Sequence, residues 1–178
     1  SPSEHWVQWM PAVTSLPGGG FVIAWTSADQ DGDQYGVYGQ IYNESGDPIG
    51  NEFRVNTYTI GDQGAPGGRS ISSTSLNDGG FVITWAGRSE GDDYGISGQR
   101  YSASGNMVGT EFLVNTSKTG YQKHSSVTSL SDGGFVVTWS SSNSDGLDGG
   151  ADIYGQIYNS LGVTSGDEFL INTSTKGD

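Results

Sequence analysis

Asp29, Asp31 and Asp33 stand on alternate positions of the stretch Asp-Gln-Asp-Gly-Asp, with Gly32 inside the triplet. Alternate carboxylates on a glycine-containing loop can converge on one hard cation, because Ca2+ takes six to eight oxygen ligands in a flexible surround. Corresponding stretches further along hold Glu90, Asp92 and Asp93, then Asp145, Asp148 and Asp152. Acidic loops recurring at one position make Ca2+ the expected cofactor, with the aspartates of each loop as its ligands. A second reading stays open: Asp and Gly are ordinary in connections between strands, where they form Asx-turns and keep the surface solvated.

Tyr35, Tyr38, Tyr94 and Tyr154 flank these loops. Aromatic faces beside carboxylates can stack on sugar rings while the acids hold the hydroxyls, so the four tyrosines are candidate carbohydrate contacts. As core aromatics with satisfied hydroxyls they would do nothing of the kind. Signals for catalysis are few. His5 and His124 are not equivalent, since His124 falls opposite Met10 when the leucines Leu16 and Leu130 are aligned. No His-Glu-x-x-His or Gly-x-Ser-x-Gly motif occurs. Glu52, Glu111 and Glu168 recur before a phenylalanine, and a carboxylate pair can hydrolyse a glycoside. An active site normally breaks the symmetry of its scaffold, so a bridging role to the neighbouring strand or plain solvent exposure is expected for them instead. A non-enzymatic protein follows as the expectation. Asn115-Thr116-Ser117 and Asn172-Thr173-Ser174 fit the glycosylation pattern but lie at strand ends, where a turn role is expected.

Positioning these residues falls to a unit that occurs three times. Its anchors are Leu16, Leu76 and Leu130; Trp25, Trp85 and Trp139; Gly39-Gln40, Gly98-Gln99 and Gly155-Gln156; and Glu52-Phe53, Glu111-Phe112 and Glu168-Phe169. The tryptophans are 60 and then 54 residues apart, so length varies between strands, where loops tolerate it. Each unit reads as four strands, and the repeats run over about 5–60, 61–119 and 120–178 of one domain. A half-polar strand leads through a Gly-rich turn to Phe-Val-Ile-Ala-Trp and its copies, apolar on both faces and hence covered on both sides. Gly39, Gly98 and Gly155 lie inside the third strand, where a large neighbour, the preceding Trp, is expected to rest on the backbone; a β-bulge is the alternative. Such units must stack on one another. The fold class expected is all-β: three tandem four-stranded antiparallel repeats arranged as propeller-like blades, with a three-fold β-prism as the alternative. Three blades are fewer than the four to eight that close a ring, so a larger parent or head-to-tail self-association is expected.

The bulk numbers agree. Thirty glycines and no cysteine among 178 residues exclude thiol chemistry and disulfides and suit many tight turns. Twenty acidic against seven basic residues, net −13, argue against nucleic acid and against an anionic membrane surface. No run of about 18 apolar residues is present, so no insertion into a membrane is expected. The N-terminus lacks a signal-peptide pattern and the chain reads as a mature or excised segment.

With the units aligned, the pattern DGGFVxTW…YGxxGQxY…GxxVGxEFxVNT resembles tandem modules of very large secreted bacterial proteins of the haemolysin-type calcium-binding and adhesin classes, over nearly the whole chain. The blade rhythm also looks like that of sialidase-type and integrin-like propellers. The acidic triplet is similar to the calcium loops of integrin-type blades and EF-hands, although Gly32 comes one step early and no Glu follows seven residues later. The glycine-rich nonapeptide of haemolysin-type repeats is missing. The resemblance implies an extracellular, calcium-stabilised structural or adhesive module with itself or glycans as partners; a carbohydrate-binding lectin is the alternative.

Overall fold

A computed structural model describes residues 7–64, 70–142 and 150–173. The chain builds three antiparallel sheets, each from four consecutive strands. The first contains β1 (Gln8–Ser15), β2 (Phe21–Ala28), β3 (Tyr35–Tyr42) and β4 (Pro48–Arg54); the second β5 (Ile71–Ser75), β6 (Phe81–Ser89), β7 (Asp92–Tyr101) and β8 (Met107–Leu113). The third contains β9 (Tyr121–Ser129), β10 (Phe135–Ser142), β11 (Ala151–Tyr158) and β12 (Phe169–Leu170). Strand order follows chain order in every sheet, so each is a meander. The described residues contain no helix, and no segment of them could cross a membrane as one.

The turns follow from their glycines. Between the first and second strands the leucine amide donates to a glycine carbonyl, Leu76 to Gly80 at 2.8 Å and Leu130 to Gly134 at 2.8 Å. Gly79 and Gly133 lie at φ of 86° and 89°, a region open to glycine at little cost.

Alternation then decides what each face does. Val22, Ala24, Val37 and Val55 of the first sheet pack on Phe81, Ile83, Trp85 and Tyr101 of the second. The opposite face of the second sheet, with Val82, Ala86, Ile96 and Val114, packs on Phe135, Val137, Trp139 and Tyr158 of the third. A strand carrying apolar residues at both odd and even positions is thereby covered on both sides, as β6 requires. The sheets form a stack instead of the sides of a prism. Their first strands meet edge to edge through hydroxyls: Thr14 Oγ1 donates to the Ser73 carbonyl at 2.9 Å, and the Val127 amide to Ser72 Oγ at 3.1 Å. Small polar side chains in these strands let the edges approach closely, which explains why they are half polar.

The third-strand glycines do accept a large neighbour, but it is not the tryptophan. A Cβ on Gly39, Gly98 or Gly155 would lie 2.9, 2.6 or 2.8 Å from Cζ of Phe53, Phe112 or Phe169. These phenylalanines are the cross-strand partners of the glycines in the fourth strand. One residue on, the register slips between Gly39 and Ile41 and between Gly98 and Arg100, and the buried glutamine fills the gap. Gln40 Nε2 donates to the carbonyls of Ile41 and Ile49, at 2.9 and 3.1 Å, and Gln99 and Gln156 repeat the pattern. Both the tight contact and the bulge are therefore present.

Candidate functional site

The acidic loops are built around an asparagine. In the first sheet Asn56 Oδ1 accepts the Val37 amide at 2.7 Å while its Nδ2 donates to Asp31 at 3.1 Å. Asn115 accepts from Ile96 at 2.7 Å and donates to Asp92 at 2.9 Å. Asn172 accepts from Ile153 at 2.7 Å and donates to Asp152 at 2.9 Å. One side chain thus closes the entry to each third strand and fixes the loop above it. Buried Asp92 also accepts the Tyr94 amide at 3.0 Å in an Asx-turn. Asp33 accepts the Gly61 amide at 2.9 Å, tying its loop to the connection between the first two sheets.

Among the described residues no three acidic or histidine side chains gather into a metal-binding group. Asp31, Asp33 and Asp92 spend lone pairs on amide hydrogens, and Asp29 is exposed at φ of 59°. As placed, the described carboxylates form no ready-made calcium cage. Asp145 and Asp148 lie outside the described residues, as does His5. His124 is exposed on a bulge of β9, at the left-handed conformation that Met10 repeats in β1.

The recurring glutamates bridge sheets. Glu111 accepts the Thr57 amide at 2.6 Å, the Thr57 hydroxyl at 2.7 Å and the Tyr58 amide at 3.2 Å. Glu168 accepts the amide and hydroxyl of Thr116 at 2.7 and 2.9 Å. Glu52, in the first sheet, is instead held by the Gln30 amide group.

A cleft of about 430 Å³ opens where the connections of all three sheets converge on the β6–β7 turn. Its walls include Tyr58, Arg88, Asp93, Tyr94, Lys118 and Tyr121. Glu111 holds the backbone of Tyr58, so the inter-sheet bridge also sets one wall. The rings of Tyr94 and Tyr121 meet with centroids 4.1 Å apart and planes inclined by 47°. Lys123 lies 5.0 Å from the centroid of the Tyr121 ring, close enough for a cation–π contact. Arg88 pairs with Asp93 at 2.7 Å, and that hydrogen bond holds the guanidinium proton more firmly than usual. Lys118 has no ion-pair partner among the described residues. The arrangement offers aromatic faces, paired donors and acceptors, and one open cation, which is the equipment for holding a polyhydroxylated ligand.

Of the four tyrosines expected at a sugar site, the structure brings only Tyr94 to this cleft, with Asp92 and Asp93 beside it. Tyr35 stands against Trp9 at 6.2 Å, and Tyr154 stacks on Trp139 at 6.3 Å. Tyr38 is buried, and burial followed by the nearby Asp31 raises its pKa. Glu90 lines a neighbouring hollow with Thr57 and Glu111. Tyr58, Arg88, Lys118 and Tyr121 went unrecognised in the sequence because no motif marks them. Their one signal is that Tyr58 and Lys118 each follow an Asn-Thr or Asn-Thr-Ser strand end.

No protein-family model matches the chain, and no curated protein does. Solved structures do match. One is the Hadza microbial sialidase Hz136, with 9% identity and a TM-score of 0.61 over 93% of this chain and 37% of that one. Another is the endo-arabinase from Bacteroides thetaiotaomicron VPI-5482, with 18% identity and a TM-score of 0.55 over 97% of this chain and 66% of that one. The chain spans about a third of the first and just under two thirds of the second. At these identities the likeness is one of fold: an all-β stack with propeller-fold neighbours. It corrects the expectation of a non-enzymatic protein, because both neighbours are enzymes and the fold carries no presumption against catalysis.

Proposed function

We propose that this chain recognises carbohydrate in the cleft walled by Tyr58, Tyr94 and Tyr121. The observation that carries the reading is the inclined tyrosine pair at 4.1 Å set beside Arg88, Asp93 and Lys118 in about 430 Å³. Such a volume lies within the range of about 300–1,000 Å³ usual for small-ligand sites. Tyrosine rings supply apolar contact to the C–H face of a sugar, while the charged groups serve its hydroxyls. Net charge decides between ligand classes. At −13 the chain repels polyanions, so a neutral or singly acidic glycan is favoured over a sulfated or polyuronic one. Similarity of fold to a sialidase and an endo-arabinase supports the choice of carbohydrate. An extracellular setting, where such ligands are met, belongs to the same reading.

The test is a glycan array probed with the wild type, Tyr94→Ala and Tyr121→Ala, with mass spectrometry of each bound glycan after incubation. Binding lost in both variants supports the assignment, and shortened glycans would add cleavage to it. Binding unchanged in both, or no glycan bound at all, would overturn it.

A further inference from the structure

The two sheet-to-sheet interfaces in this chain are copies of one design. At each, the fourth-strand phenylalanine of one sheet reaches the third-strand tyrosine of the next: Phe53 to Tyr101 at 5.3 Å, and Phe112 to Tyr158 at 5.3 Å. That tyrosine stacks on the first residue of its own second strand, Phe81 or Phe135. At each, the glutamate of the later sheet takes the threonine of the earlier: Glu111 from Thr57, Glu168 from Thr116.

The third sheet carries the donor half of this design, and none of the described residues covers it. Ile171 is 45% exposed, where its counterparts Val55 and Val114 are 0% and 3%. Phe169, Ile153 and Thr173 are exposed too, although the counterparts of Ile153, Val37 and Ile96, are fully buried. The first sheet carries the acceptor half. Tyr42 stacks on Phe21 at 5.1 Å and 14°, as Tyr101 does on Phe81, and Glu52 stands where Glu111 and Glu168 stand. Phe21, Ile23 and Trp25 are half-buried, whereas Phe81, Ile83 and Trp85 are fully buried under the preceding sheet.

We infer that the third sheet of one copy docks on the first sheet of a second copy, repeating the internal interface. Phe169 then covers Tyr42 and Phe21, and Glu52 leaves Gln30 to accept the amide and hydroxyl of Thr173. The contact is heterologous, and two copies satisfy both ends of each chain by closing a ring with a two-fold axis. Six sheets fall within the four to eight that complete a propeller, where three do not. The inference stands apart from glycan binding, since the tyrosine cleft lies within one chain.

Sedimentation equilibrium of the full chain reads the outcome, with Ile23→Glu to break the acceptor face and Ile171→Glu to break the donor face. The wild type should weigh twice its 18.7 kDa. Each variant alone should weigh 18.7 kDa. An equimolar mixture of the two should recover a one-to-one complex, because it retains one intact donor face and one intact acceptor face. A symmetric contact of a face with itself cannot give that recovery, and neither can variants that fail to fold. A wild type that stays monomeric across the micromolar range, or a mixture that stays monomeric while the wild type dimerises, would overturn the inference.

Discussion

Asn115 satisfies two buried groups with one amide, the Ile96 N–H and the Asp92 carboxylate. Asn115→Ala strands the Ile96 N–H and takes from Asp92 one of its two hydrogen bonds, and a buried group left unpaired costs about 1–3 kcal/mol. The variant should therefore lose about 2–4 kcal/mol in urea unfolding, and a loss below about 1 kcal/mol would contradict the anchoring role. Tyr101 and Tyr158 present the reverse case: burial, and then Glu111 or Glu168, raise their pKa above the ordinary range. The folded state keeps these protons after the unfolded chain has begun to lose them near pH 10. Stability is then complete below that pH and falls as pH rises above it. Tyr101→Phe removes one such phenol, whose hydroxyl has no partner among the described residues. The variant should melt no lower than the wild type at pH 7 and distinctly higher above pH 10, as thermal scans across that range would show. The asparagine anchors explain why sequence alone does not show what holds the aspartates. Each asparagine lies 19 residues after the amide it accepts in all three sheets, but 25, 23 and 20 residues after its aspartate. The constant half of the motif is a backbone contact, which leaves no mark on residue type, and the variable half hides the pair.

Strand elements were far more legible. The Phe-Val-x-x-Trp strands, the Asp-Gly turns and the Gly-Gln steps all mark positions where only certain residues fit, and the sheets use them as their chemistry dictates. The identity of the residue facing each third-strand glycine was not legible, because it depends on register between the third and fourth strands. Gly98→Ala would place a methyl 2.6 Å from the Phe112 ring. Overpacking of that kind costs about 1–3 kcal/mol. Phe112→Ala in the same chain should restore part of the loss, and strictly additive effects in a double-mutant cycle would contradict the contact. The cleft was illegible for a related reason. Its walls come from the β4–β5 connection, the adjoining ends of β6 and β7 with their turn, and the β8–β9 connection with the start of β9, which lie far apart in the chain and converge only after the sheets have stacked.

At the scale of the whole molecule, stacking does three things together: it buries both faces of the second sheet, it seats Glu111 and Glu168 on the preceding threonines, and it opens the tyrosine cleft. In the first two loops it leaves Asp31, Asp33 and Asp92 accepting from amide groups. Amide exchange over residues 29–35 and 90–94 should be the same in chelator and in millimolar Ca2+, and protection gained only with Ca2+ would return those aspartates to metal ligation. The glycan reading is tested most directly by locating the ligand. Resonances of a uniformly labelled sample should be followed while the best array glycan is titrated in. Tyr58, Lys118 and Tyr121 should shift saturably together, with the loop of the first sheet around Trp9 and Tyr35 unmoved. Saturable shifts centred on Trp9 and Tyr35, or none at Tyr121, would contradict recognition in the cleft.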